Sequence, residues 1–430
     1  MQATVPTTTD ARPRPVQPLP PTPPTHPAHA AALGVLAAID RHEAYRADCV
    51  GLVPTENRMS PMARRAQDAD LAHRYLFQNP QWRYVGGKHL AEVEAAAQAL
   101  AREVLGAAHV NVRPLSGENC TNVVIHALVE PGDTFYHLRM EDGGHFAAAS
   151  VADRITDRRR FLPYDAARAT LDLEGCARAF AETPPDVIYL DASMVLFAHP
   201  LRELRALAGP DAIIVYDASQ VLGLIAGGAF QDPLREGADV LSGSTHKSLP
   251  GPQKGLIATN RADLMARVEA TIFPGHVSNF HLHHVASLAV TLAEAQAFGA
   301  DYARQTIANA RALGGALRAR GLAVQGGDAI TASHQVWLDV RGHGGADAAV
   351  ERLHTANLIA NVNLIPSLGA KGLRLGTPEV TRLGMLEPDM DQLAGFVHRA
   401  LTGDPAGVRA EVSACARRFP TVRYCFPDLG

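Results

Sequence analysis

The chain has 430 residues, 47% hydrophobic and 20% charged, with a net charge of −4. That length supports two or three domains around sizeable cores, with a globular balance of residue types. Without basic runs it excludes a nucleic-acid partner, because phosphate backbones are held by clustered Lys and Arg. Five cysteines without a CxxC pair read as reduced thiols of a cytoplasmic protein. No apolar run reaches the roughly 18 residues of a membrane span, and no signal-peptide core is expected at the N-terminus.

Residues 1–30 contain nine prolines and are expected to form a disordered tail, being too poor in apolar surface to offset ordering entropy. An N-terminal arm is expected over 31–70, with helical periodicity over 32–48, followed by the loop Pro54-Thr55-Glu56-Asn57. Residues 88–106 read as an Ala- and Leu-rich helix, 108–112 as a strand, 121–128 as a helix and 134–137 as a strand. Buried strands follow at 186–190 and 212–216, separated by a helix over 201–208, and a short strand lies at 240–242. Strands alternating with helices predict an α/β domain over 71–290 with a mostly parallel sheet covered on both faces. A long helical region over 284–320 leads into a smaller α/β fold over roughly 321–430, and the C-terminal domain is expected to span 291–430.

Two charged residues stand at strand ends. Asp217 closes the apolar run Ile213-Ile214-Val215-Tyr216; such a carboxylate either caps a helix or faces a ligand at the carboxyl edge of the sheet. Thirty residues on, Val240-Leu241-Ser242 leads into Ser244-Thr245-His246-Lys247. Lysine behind a buried strand is costly unless paired or reacted, and a desolvated amine suits Schiff-base chemistry. Such a carboxylate and lysine are the pair that pyridoxal phosphate (PLP) needs: the acid keeps the pyridine nitrogen protonated, and the amine binds the aldehyde.

From about residue 35 onward the chain resembles the serine hydroxymethyltransferases. The resemblance is carried by Thr55-Glu56-Asn57, Arg83-Tyr84 with Gly86-Gly87, Ser116-Gly117, Gly143-Gly144-His145, Asp217, Ser244–Pro252 around Lys247, Phe273-Pro274-Gly275 and Arg374–Pro378. It implies fold type I of the PLP-dependent aminotransferase class, with a seven-stranded large-domain sheet. It also implies roles. Lys247 forms the Schiff base, His145 stacks on the ring, Asp217 pairs with its nitrogen, and Ser193 bonds its phenolic oxygen. Ser116, Gly117 and Glu118 lie at the phosphate, while Gln220, Ser244, His246 and Ser278 are further cofactor contacts. Arg374 forks onto the substrate carboxylate, with Thr55, Glu56 and Tyr75 nearby. Arg374 read alone is a surface arginine; its setting between Gly372 and Gly376 favours the clamp. Active sites shared within a homodimer or tetramer are implied, with Tyr75 and Ser278 reaching across.

Departures narrow the reaction. Phe77 stands where the hydroxymethyltransferases carry a glutamate for the folate-linked step, and phenylalanine transfers no proton. Val85 replaces a tyrosine, Ser278-Asn279 a glycine pair and Gln253 an arginine. Gln220 stands at a position often occupied by histidine, and Glu118 at a phosphate-binding serine, where its charge must point away. Pro250–Gly255 and Ser278–His281 resemble the L-threonine transaldolases of natural-product pathways. These release acetaldehyde from threonine and add the remaining carbanion to a second aldehyde. The base for the β-hydroxyl is His145, Glu56 or a water. An amino-acid racemase, a simple aldolase or a folate-independent hydroxymethyltransferase on the same scaffold is the alternative, and a non-catalytic PLP-binding protein is a third reading. His281, His283 and His284, like His73 and His137, are not read as a metal site: His283 aligns with a family histidine at a helix start, and no Cys or carboxylate completes a tetrahedral set. Gly86-Gly87-Lys88 lacks the spacing of a phosphate loop.

Overall fold

A computed structural model describes residues 26–76 and 86–427. Most of the expected tail, together with Phe77, Arg83, Tyr84 and Val85, lies outside the described residues. Helix Pro27–Ala47 forms a unit of its own. It begins inside the stretch expected as tail, because proline in a first helical turn needs no N–H partner and has its φ preset. Leu33, Val35, Leu36 and Ile39 on it are 49–62% exposed.

In the body of the chain, the large sheet comprises β1 (His109–Asn111), β2 (Phe135–His137), β3 (Arg159–Phe161), β4 (Val187–Leu190), β5 (Ile213–Asp217), β6 (Val240–Ser244) and β7 (Gly255–Thr259). Their spatial order is β1-β7-β6-β5-β4-β2-β3. The run from β3 to β6 is parallel throughout. Strand β7 is antiparallel to both its neighbours. The expected seven-stranded, mostly parallel sheet is therefore present. Strands β4 and β6 are buried along their whole length, as strands covered on both faces must be.

The second sheet is antiparallel, in the order β8 (Ala323–Val324), β9 (Gln335–Asp339), β11 (Ala370–Gly376), β10 (Asn361–Ile365). The 38-residue helix Leu282–Ala319 serves both cores. Leu288, Leu292 and Ile307 join the large-domain cluster, while Ala310, Leu313 and Leu317 join the second. The boundary expected at residue 290 thus falls inside one continuous helix, and the change of core comes a few turns later. Part of the expected arm also packs with the second sheet: Val50 and Leu52 lie in its core, and Val50–Gly51 pairs in parallel with Leu358–Ile359.

Arg382 ties the long helix to the segments that flank the site. Its Nη2 donates to Glu294 Oε2 at 2.9 Å, with side chains 1% and 2% exposed. Nε donates to Arg58 O (3.3 Å) and Nη1 to Tyr424 O (2.5 Å). Removing one partner of a buried pair strands the other charge, so Arg382→Leu is expected to cost about 3–5 kcal/mol. Thermal melting should show this loss, and the double variant with Glu294→Leu should recover much of it.

Candidate active site

The carboxyl ends of β5 and β6 are neighbours, with Asp217 opposite Ser242, so the two residues singled out at strand ends open onto one edge. The loop leaving β6 is closed on itself. Thr245 N–H donates to Lys254 O (2.9 Å), Thr245 Oγ1 to Pro252 O (2.7 Å), and Gly251 N–H to Thr245 O (3.0 Å). Asn57 Nδ2 fixes the loop from outside, lying 2.8 Å from both Lys247 O and Tyr302 Oη. Burial holds the Lys247 amine below its ordinary pKa; the Asp217 charge opposes this and Arg374 reinforces it. More of the amine is therefore neutral, the form that attacks an aldehyde. Burial, reinforced by the Lys247 charge, also lowers His246 to about 4.

Asp217 partly fills the capping role that was its alternative reading: Oδ1 accepts Ser219 N–H at 2.8 Å. Ser219 Oγ in turn accepts Ser244 N–H at 2.9 Å, locking the two strand ends together. Helix Gly117–Leu128 starts beside them, capped by Ser116 Oγ accepting Asn119 N–H (3.0 Å). A Cβ on Gly117 would come within 2.8 Å of Ser244 Cβ, and one on Gly243 within 2.8 Å of Ser219 N; only glycine permits this approach. Ser116 Oγ thus accepts in the cap, which leaves its O–H free to donate to a ligand. Glu118 is exposed, and Ser244 Oγ is buried without a partner.

His145 reaches the same edge through the Gly143-Gly144 turn. Gly143 has φ +89°, and a Cβ there would lie 2.7 Å from Met194 Cβ. Ser193 N–H donates to Gly143 O (2.7 Å), which sets the turn against Ser193. The His145 ring stacks on Phe146 (centroids 4.3 Å apart), and its Nδ1 accepts Ala147 N–H at 3.3 Å.

Arg374 comes from β11 of the second sheet and is 5% exposed, so it is not a surface arginine. Its Nη1 donates to Ser193 O (3.0 Å), and Nη2 meets the Asn361 amide oxygen at 3.0 Å once that amide also donates to Arg374 O. Nε has no partner. No carboxylate among the described residues forms an ion pair with Arg374, and burial lowers its pKa to about 10. The Thr55–Asn57 loop docks at the end of the same strand: Gly376 N–H donates to Leu52 O (2.8 Å), and Pro54 occupies the space a Cβ on Gly376 would need. Thr55 is half-buried and Glu56 exposed. Tyr75 is 47% exposed, and Ser278 lies on the surface.

Three site-forming residues escaped the sequence reading. Gln335 uses all four of its amide hydrogen-bonding positions. Its Nε2 donates to Ser193 O (3.1 Å) and Gln220 Oε1 (3.3 Å), while Oε1 accepts from Val195 N (3.1 Å) and Trp337 Nε1 (3.0 Å). Asn361 holds Arg374. His334 is fully buried with both ring nitrogens unpartnered, and burial, helped by Arg374 and Lys247, lowers it to about 3. Polar residues at the mouth of an apolar strand were the only available signal. Among the described residues, no group of three or more His, Cys, Asp or Glu is placed to hold a metal.

Residues 31–397 match the serine hydroxymethyltransferase family. The chain is 42% identical over 408 residues to the serine hydroxymethyltransferase of Methanopyrus kandleri, covering 91% of this chain and 94% of that protein. It is 38% identical over 417 residues to that of Pyrococcus furiosus (92% and 97%). The chain belongs to the serine hydroxymethyltransferase family. Its fold also matches an L-threonine transaldolase from Pseudomonas fluorescens, with a TM-score of 0.87 and 29% identity over 93% of this chain and 94% of that one. It is accordingly a PLP-dependent enzyme acting on amino acids. The residues suit the cofactor: an unpartnered buried hydroxyl and a helix N-terminus fit a phosphate, and the Lys247–Asp217 pair fits the ring.

Lys247→Ala should abolish the visible absorbance that appears when PLP is added to wild type. Because the attacking form is the neutral amine, wild-type reconstitution should speed up with pH and level off below the ordinary lysine pKa of about 10.4. Absorbance followed after mixing checks both.

Proposed function

We propose that the enzyme is an L-threonine transaldolase: it cleaves threonine to acetaldehyde and joins the remaining glycine unit to a second aldehyde, giving a β-hydroxy-α-amino acid. The observation that carries this reading is Phe77, at the position of the glutamate that serves folate chemistry in the hydroxymethyltransferases. The likeness to the P. fluorescens transaldolase over nearly the whole chain supports it.

PLP, when bound, supplies the electron sink for the pair left on Cα. Lys247 is the amine that would hold it. Asp217 would keep the ring nitrogen protonated through its other carboxylate oxygen, and Ser193 would serve the phenolic oxygen. His145 flanks the ring. The first turn at Gly117, with Ser244, takes the phosphate, while Glu118 stays in solvent. Arg374, lacking a carboxylate of its own, receives that of the amino acid and orients the Cα–Cβ bond. Because His145 Nδ1 accepts Ala147 N–H, that nitrogen is already occupied. The exposed Glu56 carboxylate is then the better base. It takes the β-hydroxyl proton as the Cα–Cβ bond breaks, the carbonyl of acetaldehyde forms and the electron pair stays with Cα. Gln220, held by Gln335, remains neutral where many relatives carry histidine. Tyr75, Ser278 and the apolar helix Pro27–Ala47 serve a second copy of the chain.

Threonine should release acetaldehyde, and an added aromatic aldehyde should appear in an amino-acid product of the corresponding mass, both independent of tetrahydrofolate. If neither occurs the reading is lost. A second reading, serine hydroxymethyl transfer, is favoured by the 42% identity to a serine hydroxymethyltransferase; conversion of serine to glycine that requires tetrahydrofolate would establish it. Glu56→Gln should lower kcat for threonine cleavage by about 10²–10⁴-fold yet leave Cα–H exchange of glycine in deuterated water. Arg374→Ala should lower kcat/KM for the amino acid by roughly 10–150-fold, the loss of a charge-assisted contact.

A further inference from the structure

We propose that Lys254 is a positioning residue for the cofactor: its buried ammonium staples the turn entering the phosphate-binding helix to the Ser278–His281 segment, while its backbone holds the Lys247 loop. Lys254 is fully buried. Its Nζ lies 2.8 Å from Phe280 O, 3.3 Å from Pro114 O and 3.4 Å from Arg113 O. An ammonium has three N–H donors, and here three carbonyls from two separate segments receive them. The backbone completes the junction. Lys254 O accepts Thr245 N–H (2.9 Å), Gly255 N–H donates to Pro114 O (3.2 Å), and Ser116 O with Cys120 Sγ occupies the space a Cβ on Gly255 would need. Each tethered point is two residues from a cofactor contact: Pro114 from Ser116, Phe280 from Ser278, Thr245 from Lys247.

Among the described residues, no carboxylate neutralises this ammonium directly. Glu94 on helix Leu90–Leu105 is the nearest acid in electrostatic reach, but it is bound by Arg113 at 2.6 Å, and Arg113 also lies over the Phe280 ring at 4.8 Å. Cys120 on helix Gly117–Leu128 and the His281, His283 and His284 rings face Lys254 from the other sides. Burial pushes the Lys254 amine down to about 7, opposed by Cys120 and Glu94 and reinforced by Arg113. A neutral amine has only two N–H donors, so deprotonation leaves one carbonyl unserved and loosens the staple.

The sign separates positioning from plain structural support. The folded pKa is depressed relative to the unfolded lysine. From about pH 7 to about 10.4 the unfolded chain binds more protons, and this group's contribution to fold stability rises with pH. Over the same window the staple weakens. Cofactor retention and apoenzyme stability should therefore move in opposite directions as pH rises, whereas a purely structural role moves them together.

The test compares the PLP dissociation constant and the apoenzyme melting temperature of wild type, Lys254→Arg and Lys254→Met from about pH 6 to about pH 9. Wild type should lose roughly ten-fold in PLP affinity through one proton step, the scale of one lost hydrogen bond. Lys254→Arg, which does not titrate, should lack that step. Lys254→Met should bind PLP about ten-fold or more weakly at the acid end, without the step. Titration of the PLP phosphate and of Lys247 is common to all three, so the wild-type loss is read against Lys254→Arg. Wild-type affinity in Lys254→Met at the acid end, or the full proton step persisting in Lys254→Arg, overturns the proposal. Should Lys254→Met fail to fold, wild type against Lys254→Arg decides.

Discussion

A buried guanidinium without a carboxylate beside it is a standing electrostatic cost, and Arg374 is in that position. Its neighbours are two neutral oxygens, the Ser193 carbonyl and the Asn361 amide, and a second cation, Lys247, adds to the local positive potential. Asp217 is the carboxylate whose charge Lys247 feels. The site is thus built short of negative charge, and in the function proposed the missing anions are a cofactor phosphate at the helix N-terminus and a substrate carboxylate at the arginine. His334 follows from the same field, since an imidazole between two cations and out of water cannot hold a proton.

Holding that arrangement requires two sheets to meet with little tolerance. Arg374 and Gln335 come from the second sheet, and both terminate on Ser193, which the Gly143-Gly144 turn grips from the large domain. Gln335 has no hydrogen-bonding capacity left, so it behaves as a fixed strut rather than an adaptable contact. The glycines at 117, 143, 243 and 376 make the other close approaches possible, each where a Cβ would strike a neighbouring segment.

These facts explain which features were legible in the sequence. The alternation of apolar strands and helices is a local pattern, and it marked β4, β5 and β6 within a residue or two. Strand β7 escaped because Gly255–Thr259 follows a loop dense in proline and glycine. Strand β3 escaped because Arg159-Arg160-Phe161 is a charged edge strand, polar where the buried strands are apolar. Lys247 and Asp217 were legible because charge at the end of an apolar run is anomalous. Arg374 needed its family context, since an arginine on a strand is unremarkable until its burial is seen. His334, Gln335 and Asn361 were illegible because their importance lies in partners distant along the chain: Gln335 lies 142 residues after Ser193.

Lys247 and Lys254 stand seven residues apart, and burial lowers the pKa of both. A depressed pKa therefore does not distinguish the reactive amine from the inert one. Hydrogen bonding does. Every donor of Lys254 ends on a main-chain carbonyl, and the side chain is sealed from solvent, so no aldehyde can reach it. Lys247 is gripped instead through its main chain, by Asn57, and remains partly exposed. Fixing a backbone while sparing its side chain is what a residue needs if it must alternate between holding a cofactor and yielding it to a substrate. In the roles proposed for them, the fold makes one lysine a staple and its near neighbour a nucleophile by choosing which of their atoms to occupy.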